Sequence, residues 1–215
     1  MKIVCLSDLH GMLPQIPECD LLLLAGDYCP TSRREQEDWF NRYFRRWLIE
    51  TRVYCTEIVG IGGNHDWGLA DNIYLGKNLP WTYLHDTSTA INGLNIYGTP
   101  YQRRFFDWAF NLDEPELDKK FDSVPEGTDI ILTHGPAFGI GDETIHRGAL
   151  THNNERIGSK RLLERALEIN AKLVVYGHNH SGVGVYKVEN TTFVNASYVN
   201  ESYRPNGKSP FIVEI

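Results

Sequence analysis

Cysteine is scarce in this chain and poorly spaced for chemistry. The four thiols, Cys5, Cys19, Cys29 and Cys55, form no C-x-x-C pair, which excludes a thiolate-rich structural zinc site and gives no disulfide framework. Reduced thiols in a cytoplasmic protein are the expectation. No stretch approaches the roughly 20 apolar residues of a membrane span. The run from Ile3 to Ser7, between Lys2 and Asp8, is too short for the apolar core of a signal peptide. Positive charge is also short: 21 Lys and Arg stand against 28 Asp and Glu, a net −7, which argues against a long nucleic-acid groove. A phosphate substrate is still allowed, because bound divalent cations can dominate a local field. The basic pairs Arg33-Arg34, Arg45-Arg46 and Arg103-Arg104 read first as solvated surface. Linkers, repeats and low-complexity tracts are missing too, so residues 1–215 are expected to form a single domain.

Short apolar, β-prone runs are what the chain has. They cover Ile3 to Leu6, Leu21 to Ala25, Ile58 to Ile61, Ile130 to Leu132 and Leu173 to Tyr176. Each is bounded by Gly or polar residues and reads as a buried strand. Ser32-x-x-Glu35 is a capping box that predicts a helix to about Thr51, with Trp39, Phe40, Tyr43, Phe44, Trp47 and Leu48 as its buried face. A second helix is expected after Gly158-Ser159, burying Leu162, Leu163, Ala166, Leu167 and Ile169. Asn92-Gly93 and Glu189-Asn190 predict hairpins, and Phe211 to Ile215 a last strand. The fold class is therefore α/β: strand and helix alternate early, and a second sheet of mixed direction packs on the first. Residues 99–124 and 135–158 are irregular stretches expected to face substrate, with His146 and His152 in the second and Gly139, Gly141 and Gly148 as its flexible points.

Hard metal ligands cluster at the ends of those runs. They read Asp8-Leu9-His10, Gly26-Asp27, Gly63-Asn64-His65-Asp66, Thr133-His134 and Gly177-His178-Asn179-His180. Singly, each has an ordinary structural explanation as a turn, a cap or a satisfied core histidine. Together, each near a strand end, they predict that distant parts of the chain deliver carboxylates, imidazoles and an amide to a two-metal site. A carboxylate can bridge two cations about 3.5–4 Å apart and offset their repulsion. Imidazole donors without thiolate suit manganese first, with iron, zinc, cobalt or nickel as alternatives.

In this order, D-x-H, G-D, G-N-H-D, a lone His and G-H-x-H resemble the motif set of the calcineurin-like metallophosphoesterases. The resemblance spans Asp8 to His180 and implies two mixed sheets packed as a sandwich and flanked by helices. It also implies Asp8, His10 and His180 on one divalent metal, Asn64, His134 and His178 on the other, and Asp27 bridging both. His65 is then the catalytic, non-ligand histidine, a general acid for the leaving alkoxide in hydrolysis by water activated between the cations. Gly26-Asp27-Tyr28-Cys29-Pro30-Thr31 departs from the G-D-x-V-D-R-G of the phosphoprotein phosphatases, so the Asp that orients their histidine is lacking; Asp66 is the candidate substitute, or a cap for the next turn. Gly98-Thr99-Pro100-Tyr101, Thr133-His134-Gly135-Pro136 and Phe193-Val194-Asn195-Ala196-Ser197 look like a small cytoplasmic branch associated with phosphodiesterase activity, including on cyclic nucleotides. Tyr101, Phe105, Phe106 or Trp108 could then stack a base and Arg103 or Arg104 hold a phosphate oxygen; the competing reading is that these rings pack the loop on the body. The expected partner is a small phosphoester, with a nucleotide diester leading. Alternatives are a phosphomonoesterase, a small nuclease, or a non-enzymatic scaffold on the same fold.

Overall fold

A computed structural model describes residues 1–30, 33–144 and 155–215. Its first sheet runs, in spatial order, Phe211–Glu214, Lys2–Leu6, Cys19–Leu24, Cys55–Gly60 and Thr82–Tyr83. The last four are mutually parallel, and Phe211–Glu214 closes the edge antiparallel to Lys2–Leu6. The second sheet runs Gly184–Val188, Thr191–Asn195, Leu173–Tyr176, Ile130–Thr133, Leu94–Thr99 and Thr87–Ile91. Its inner pairings are parallel, and the two hairpins expected at Asn92-Gly93 and Glu189-Asn190 supply antiparallel edges. Asn92 and Glu189 turn at φ 50° and 51°, the left-handed geometry that matches strand twist in tight hairpins.

The apolar runs are continuous because both faces of these strands are covered. Ile3, Cys5, Leu21, Leu23 and Val59 point between the sheets, against Ile96, Ile130, Leu132, Val175 and Val194. Their neighbours Val4, Leu22 and Leu24 point outward onto Phe40, Phe44 and Trp47. On the far side Ile131, Val174 and Tyr176 meet Leu117, Phe121, Leu162 and Ala166. Helix, sheet, sheet and helix thus form four layers, the expected α/β sandwich. Each fully buried Leu or Ile contributes roughly 1.5–3 kcal/mol. The parallel strands of both sheets end on one side, where Ser7 bridges Ser197. That junction is where the ligand-type residues gather.

Several expectations need correction. The aromatic helix is built as Gln36–Trp39, a π-turn over Phe40–Phe44, and Arg45–Thr51. The π-turn shifts the phase, so Phe40, Phe44, Trp47 and Leu48 are buried while Tyr43 stands 59% exposed. Ser32 lies outside the described residues; Glu35 sits at the N-cap with φ 63° and makes no side-chain cap bond, so it does not fill the capping-box position. No helix separates the first two strands; residues 7–18 are loop. The stretch 99–124 holds a helix, Glu114–Asp122, and a two-stranded parallel pair, Gln102–Arg103 with Asn111–Leu112. That helix was hidden because only Leu117 and Phe121 are buried on it, too few for a periodic signal. The second expected helix forms at Lys160–Glu168, with the Ser159 hydroxyl accepting from the Leu162 N–H at 3.1 Å. His146, Gly148 and His152 lie outside the described residues. All four cysteines are free and buried, and among the described residues no helix is long and apolar enough to cross a membrane.

Candidate metal centre

Four residues of the expected ligand set leave their strands through left-handed backbone: Asp8 (φ 52°), His10 (44°), Asp27 (58°) and His178 (66°). These turns aim short side chains back over the strand ends. Glycine enforces the approach at two points. Gly26 has φ 97°, and a Cβ there would meet the Gly62–Gly63 backbone at 2.6–2.7 Å. A Cβ on Gly177 would collide with the Asp8 carboxylate.

The side chains converge as the motifs require. Asn64 Oδ1 receives His134 Nε2 at 2.8 Å and His178 Nδ1 at 2.7 Å. Asp27 divides its oxygens: Oδ1 accepts the His65 N–H at 2.7 Å, while Oδ2 lies 3.5 Å from His134 Nε2 and 3.8 Å from His10 Nε2. Asp8 Oδ1 lies 3.2 Å from His180 Nε2 and 4.0 Å from His10 Nε2. Ligand atoms in each of the triads Asp8–His10–His180, His10–Asp27–His65 and Asp8–Asp27–His134 lie within 4.8 Å of one another. Asp27 faces histidines of both halves of the expected set, His10 of one and His134 of the other. His65, expected as a non-ligand, falls in one triad, so it stands beside the cluster at ligand distance.

Supporting bonds fix the outer atoms. His134 Nδ1 donates to the Ala25 carbonyl at 2.8 Å, leaving Nε2 for the centre. The Ser197 hydroxyl and the His178 N–H donate to the Asp8 carboxylate at 2.9 and 3.0 Å.

Charge is balanced within the cluster. Burial would raise the Asp27 pKa, yet the charge and approach of His134 outweigh it and hold Asp27 well below the usual carboxylate range. Asp8 is held low against burial in the same way by the hydrogen bond and charge of His180. In return, Asp27 overcomes the burial of His134 and lifts its pKa to about 9, and Asp8 raises His180. Burial wins at the other two rings: His10 is pushed down to about 4, and His178, with help from neighbouring His134, to about 3. Two anionic carboxylates therefore face a mixture of cationic and neutral imidazoles.

This donor set fits divalent cations. Both ring nitrogens of His10 and Nδ1 of His65 are buried without a hydrogen-bond partner among the described residues, and each such group costs about 1–3 kcal/mol. A cation against His10 would satisfy one nitrogen and neutralise the carboxylates at the same time. Residues 1–182 match the family model of the calcineurin-like phosphoesterases. The chain belongs to that family. This metal-dependent phosphoesterase is 30% identical to human metallophosphoesterase domain-containing protein 1 over 243 residues, covering 100% of the chain and 71% of the relative. A UPF0046 protein of Caenorhabditis elegans is 29% identical, with coverage of 94% and 57%. Among solved structures, TT1561 of Thermus thermophilus superposes with a TM-score of 0.61 at 15% identity, covering 91% of the chain and 88% of that structure. The phosphopantetheinyl hydrolase of Mycobacterium tuberculosis gives 0.58 at 14%, covering 94% and 90%. At those identities the structures show a shared fold.

Beside the centre of this phosphoesterase a cleft of about 480 Å³ is lined by Asn64, His65, Arg103, Arg104, Phe105 and Phe106, with Trp108, Glu201 and Tyr203. Phe105 lies against His178, with ring centres 6.2 Å apart. Arg103 and Arg104 reach the cleft while bridging Glu114 (3.3 Å) and Asp113 (2.6 Å). Tyr101 does not line this cleft; its hydroxyl lies 3.2 Å from His85 Nε2 and Lys120 Nζ sits 4.5 Å from its ring centre. Asp66 does not orient the His65 ring, nor does it cap the following turn. Its oxygens accept the N–H groups of Asp27 (2.8 Å), Tyr28 (2.9 Å), Cys29 (3.2 Å) and Gly63 (2.9 Å), tying two motif loops together. Burial, then the charge of Asp27, pushes its pKa up to about 7 against the pull of those donors.

Sequence reasoning missed Tyr203, whose ring stands edge-on to His10 at 4.8 Å and His180 at 5.6 Å. It lies in a loop without a motif, so only its aromatic type could have suggested it. Gln36 was also missed: its amide donates to the His65 carbonyl at 2.7 Å and accepts from the Gly68 N–H at 2.9 Å. Nothing in a helical polar residue signals that.

Proposed function

We propose that this protein is a dinuclear-metal phosphodiesterase for a small diester, with a nucleotide or cyclic nucleotide as the leading substrate class. The observation that carries the reading is the convergence of Asp8, His10, Asp27, Asn64, His134, His178 and His180, four of which (Asp27, Asn64, His178 and His180) line one cleft. Asp8, His10 and His180 would hold one cation, Asn64, His134 and His178 the other, and Asp27 both. Manganese is the expected ion, with iron, zinc, cobalt and nickel as alternatives. Bound divalent ions at such a centre supply Lewis acidity and a lowered water pKa.

The chain's own groups do the rest. A ring nitrogen of His65 lies within 4.8 Å of ligand atoms on His10 and Asp27, and from there it would give a proton to the alkoxide departing from a phosphoester bound at the centre. Arg103 and Arg104 line the same cleft and draw the phosphate anion in. Aromatic walls flank the cluster on two sides: Phe105 beside His178, and Tyr203 beside His10 and His180. Two walls favour a diester, because each ester arm gains an apolar surface.

The test compares bis-p-nitrophenyl phosphate, p-nitrophenyl phosphate, cyclic nucleotides and single-stranded DNA on protein stripped of metal and reloaded with each ion. Hydrolysis of the small diesters above the monoester and DNA is expected. His65→Ala should keep both metals and lose about 10²–10⁴-fold in turnover on alkyl leaving groups. Preference for the monoester, or full His65→Ala activity on a cyclic nucleotide, would overturn the reading.

A further inference from the structure

The geometry points to Trp108 as the positioning residue for His65: an indole, in place of the missing carboxylate, holds the imidazole in the orientation that proton delivery needs. The two rings lie with centres 4.1 Å apart and planes inclined by 37°. On another side His65 meets the edge of His10 at 4.8 Å and 86°. No polar partner takes Nδ1, which is buried and unpartnered among the described residues. The adjacent Asp66 is committed to four main-chain N–H groups. The backbone of His65 is fixed separately, by Asp27 Oδ1 at its N–H and Gln36 at its carbonyl, both at 2.7 Å. Ring rotation is what remains to be restrained, and the indole face is the surface that restrains it.

Trp108 is itself held in register with the motif. The Ala109 N–H donates to the Asn64 carbonyl at 3.1 Å, so the tryptophan turn is tied to the residue next to His65. Gln102, 1% exposed, donates to the Ala109 carbonyl at 2.8 Å and to Asn111 Oδ1 at 2.9 Å. The Asn111 amide donates back to the Phe105 and Phe106 carbonyls, each at 3.1 Å. A turn closed by that many bonds is a platform. A tilted ring contact at this distance biases a ring equilibrium by roughly two- to tenfold. Because one indole face lies on His65, Trp108 is not free to serve as a two-sided base platform.

This inference rests on the phosphodiesterase reading for its kinetic consequence, so the experiment has a second readout. Metal-loaded Trp108→Ala and Trp108→Phe proteins are compared with wild type on a cyclic nucleotide, whose alkoxide leaving group needs an acid, and on bis-p-nitrophenyl phosphate, whose leaving group does not. In Trp108→Ala, kcat on the cyclic nucleotide should fall at least fivefold more than on bis-p-nitrophenyl phosphate. KM should hold, and Trp108→Phe should recover most of the difference. In ring-labelled histidine NMR on protein loaded with diamagnetic zinc, His65 should show a sharp Cε1–H resonance displaced by the indole in wild type, and a broadened, undisplaced one in Trp108→Ala. Equal losses on both esters mean a structural role, and a raised KM with constant kcat means a substrate platform; either overturns the inference. So does an unchanged His65 resonance in Trp108→Ala. If wild type hydrolyses neither ester, the phosphodiesterase reading fails, and the resonance still decides whether Trp108 fixes the ring.

Discussion

Raising pH should tighten metal binding in the protein stripped of metal while loosening its fold. His134 is the group that couples the two. It is completely buried and carries a pKa of about 9, raised from 6.5 by Asp27. A cation can use His134 Nε2 only after the proton there has left, so binding releases it. Below pH 9 one released proton makes affinity rise about tenfold per unit, which is about 1.4 kcal/mol. From pH 7 to 9 the gain is about 50-fold, because half of the His134 protons have already left at pH 9, and His180, also raised, adds to it. The sign for stability is opposite. A folded pKa above the unfolded value contributes stability that is complete below pH 6.5 and disappears as pH climbs through about 9. For a shift of this size the loss is about 3 kcal/mol. Titration calorimetry at pH 7 in two buffers of different ionisation enthalpy should count at least one proton released as the centre fills. Thermal melts should show the gap between stripped and manganese-loaded protein widening from pH 6.5 to 9. Affinity flat across that range, with no proton released, would refute the pairing of His134 with Asp27.

Two further substitutions probe the frame around the centre. Gly177→Ala drives a methyl into the Asp8 carboxylate; it should cost about 1–3 kcal/mol and cut metal content by equilibrium dialysis, whereas full metal content would mean that the strand end yields. Asp66→Asn keeps the shape but turns an amide nitrogen toward two of four N–H donors. Leaving those unpaired should cost about 2–6 kcal/mol in urea unfolding, and a loss below about 1 kcal/mol would show that Asp66 is no tie between the loops.

The layers and the ligand cluster were legible because both depend on residue type in a short window. A run such as Leu21 to Leu24 can only be a strand covered on both faces, and Gly177-His178-Asn179-His180 carries its chemistry in its letters. What stayed hidden depends on phase and partner. The π-turn at Phe40–Phe44 rotated Tyr43 outward because one extra residue per turn leaves no mark in apolar spacing. Asp66 looked like an orienting carboxylate until its oxygens were seen to be taken by main-chain N–H groups, whose directions depend on backbone angles. Tyr101 and Trp108 are both aromatic residues of one loop. Only the folding of Gln102–Arg103 beside Asn111–Leu112 separates the ring kept out of the cleft from the ring laid on His65.

The left-handed turns explain why so much of the hydrogen bonding near the centre involves carboxylates and carbonyls of the motifs themselves. Asp8, His10, Asp27 and His178 each hold a backbone angle that costs a non-glycine residue about 1–2 kcal/mol, and such strain persists only where neighbours over-determine it. Here the determinants are reciprocal. The Asp27 carbonyl accepts the N–H groups of Leu9 (2.8 Å) and His10 (3.0 Å), so the second motif fixes the first. Asp66 takes the Asp27 N–H, so the third fixes the second. The Asp8 carboxylate takes the His178 N–H, so the first fixes the last, across the junction of the two sheets. Each strained turn is held by a neighbour that is itself a candidate ligand or adjoins one, so replacing one ligand should disturb the backbone of another. Charge-neutral swaps that keep the acceptor oxygen, such as Asp8→Asn, should therefore preserve the fold better than truncation to alanine, even where metal binding is lost equally.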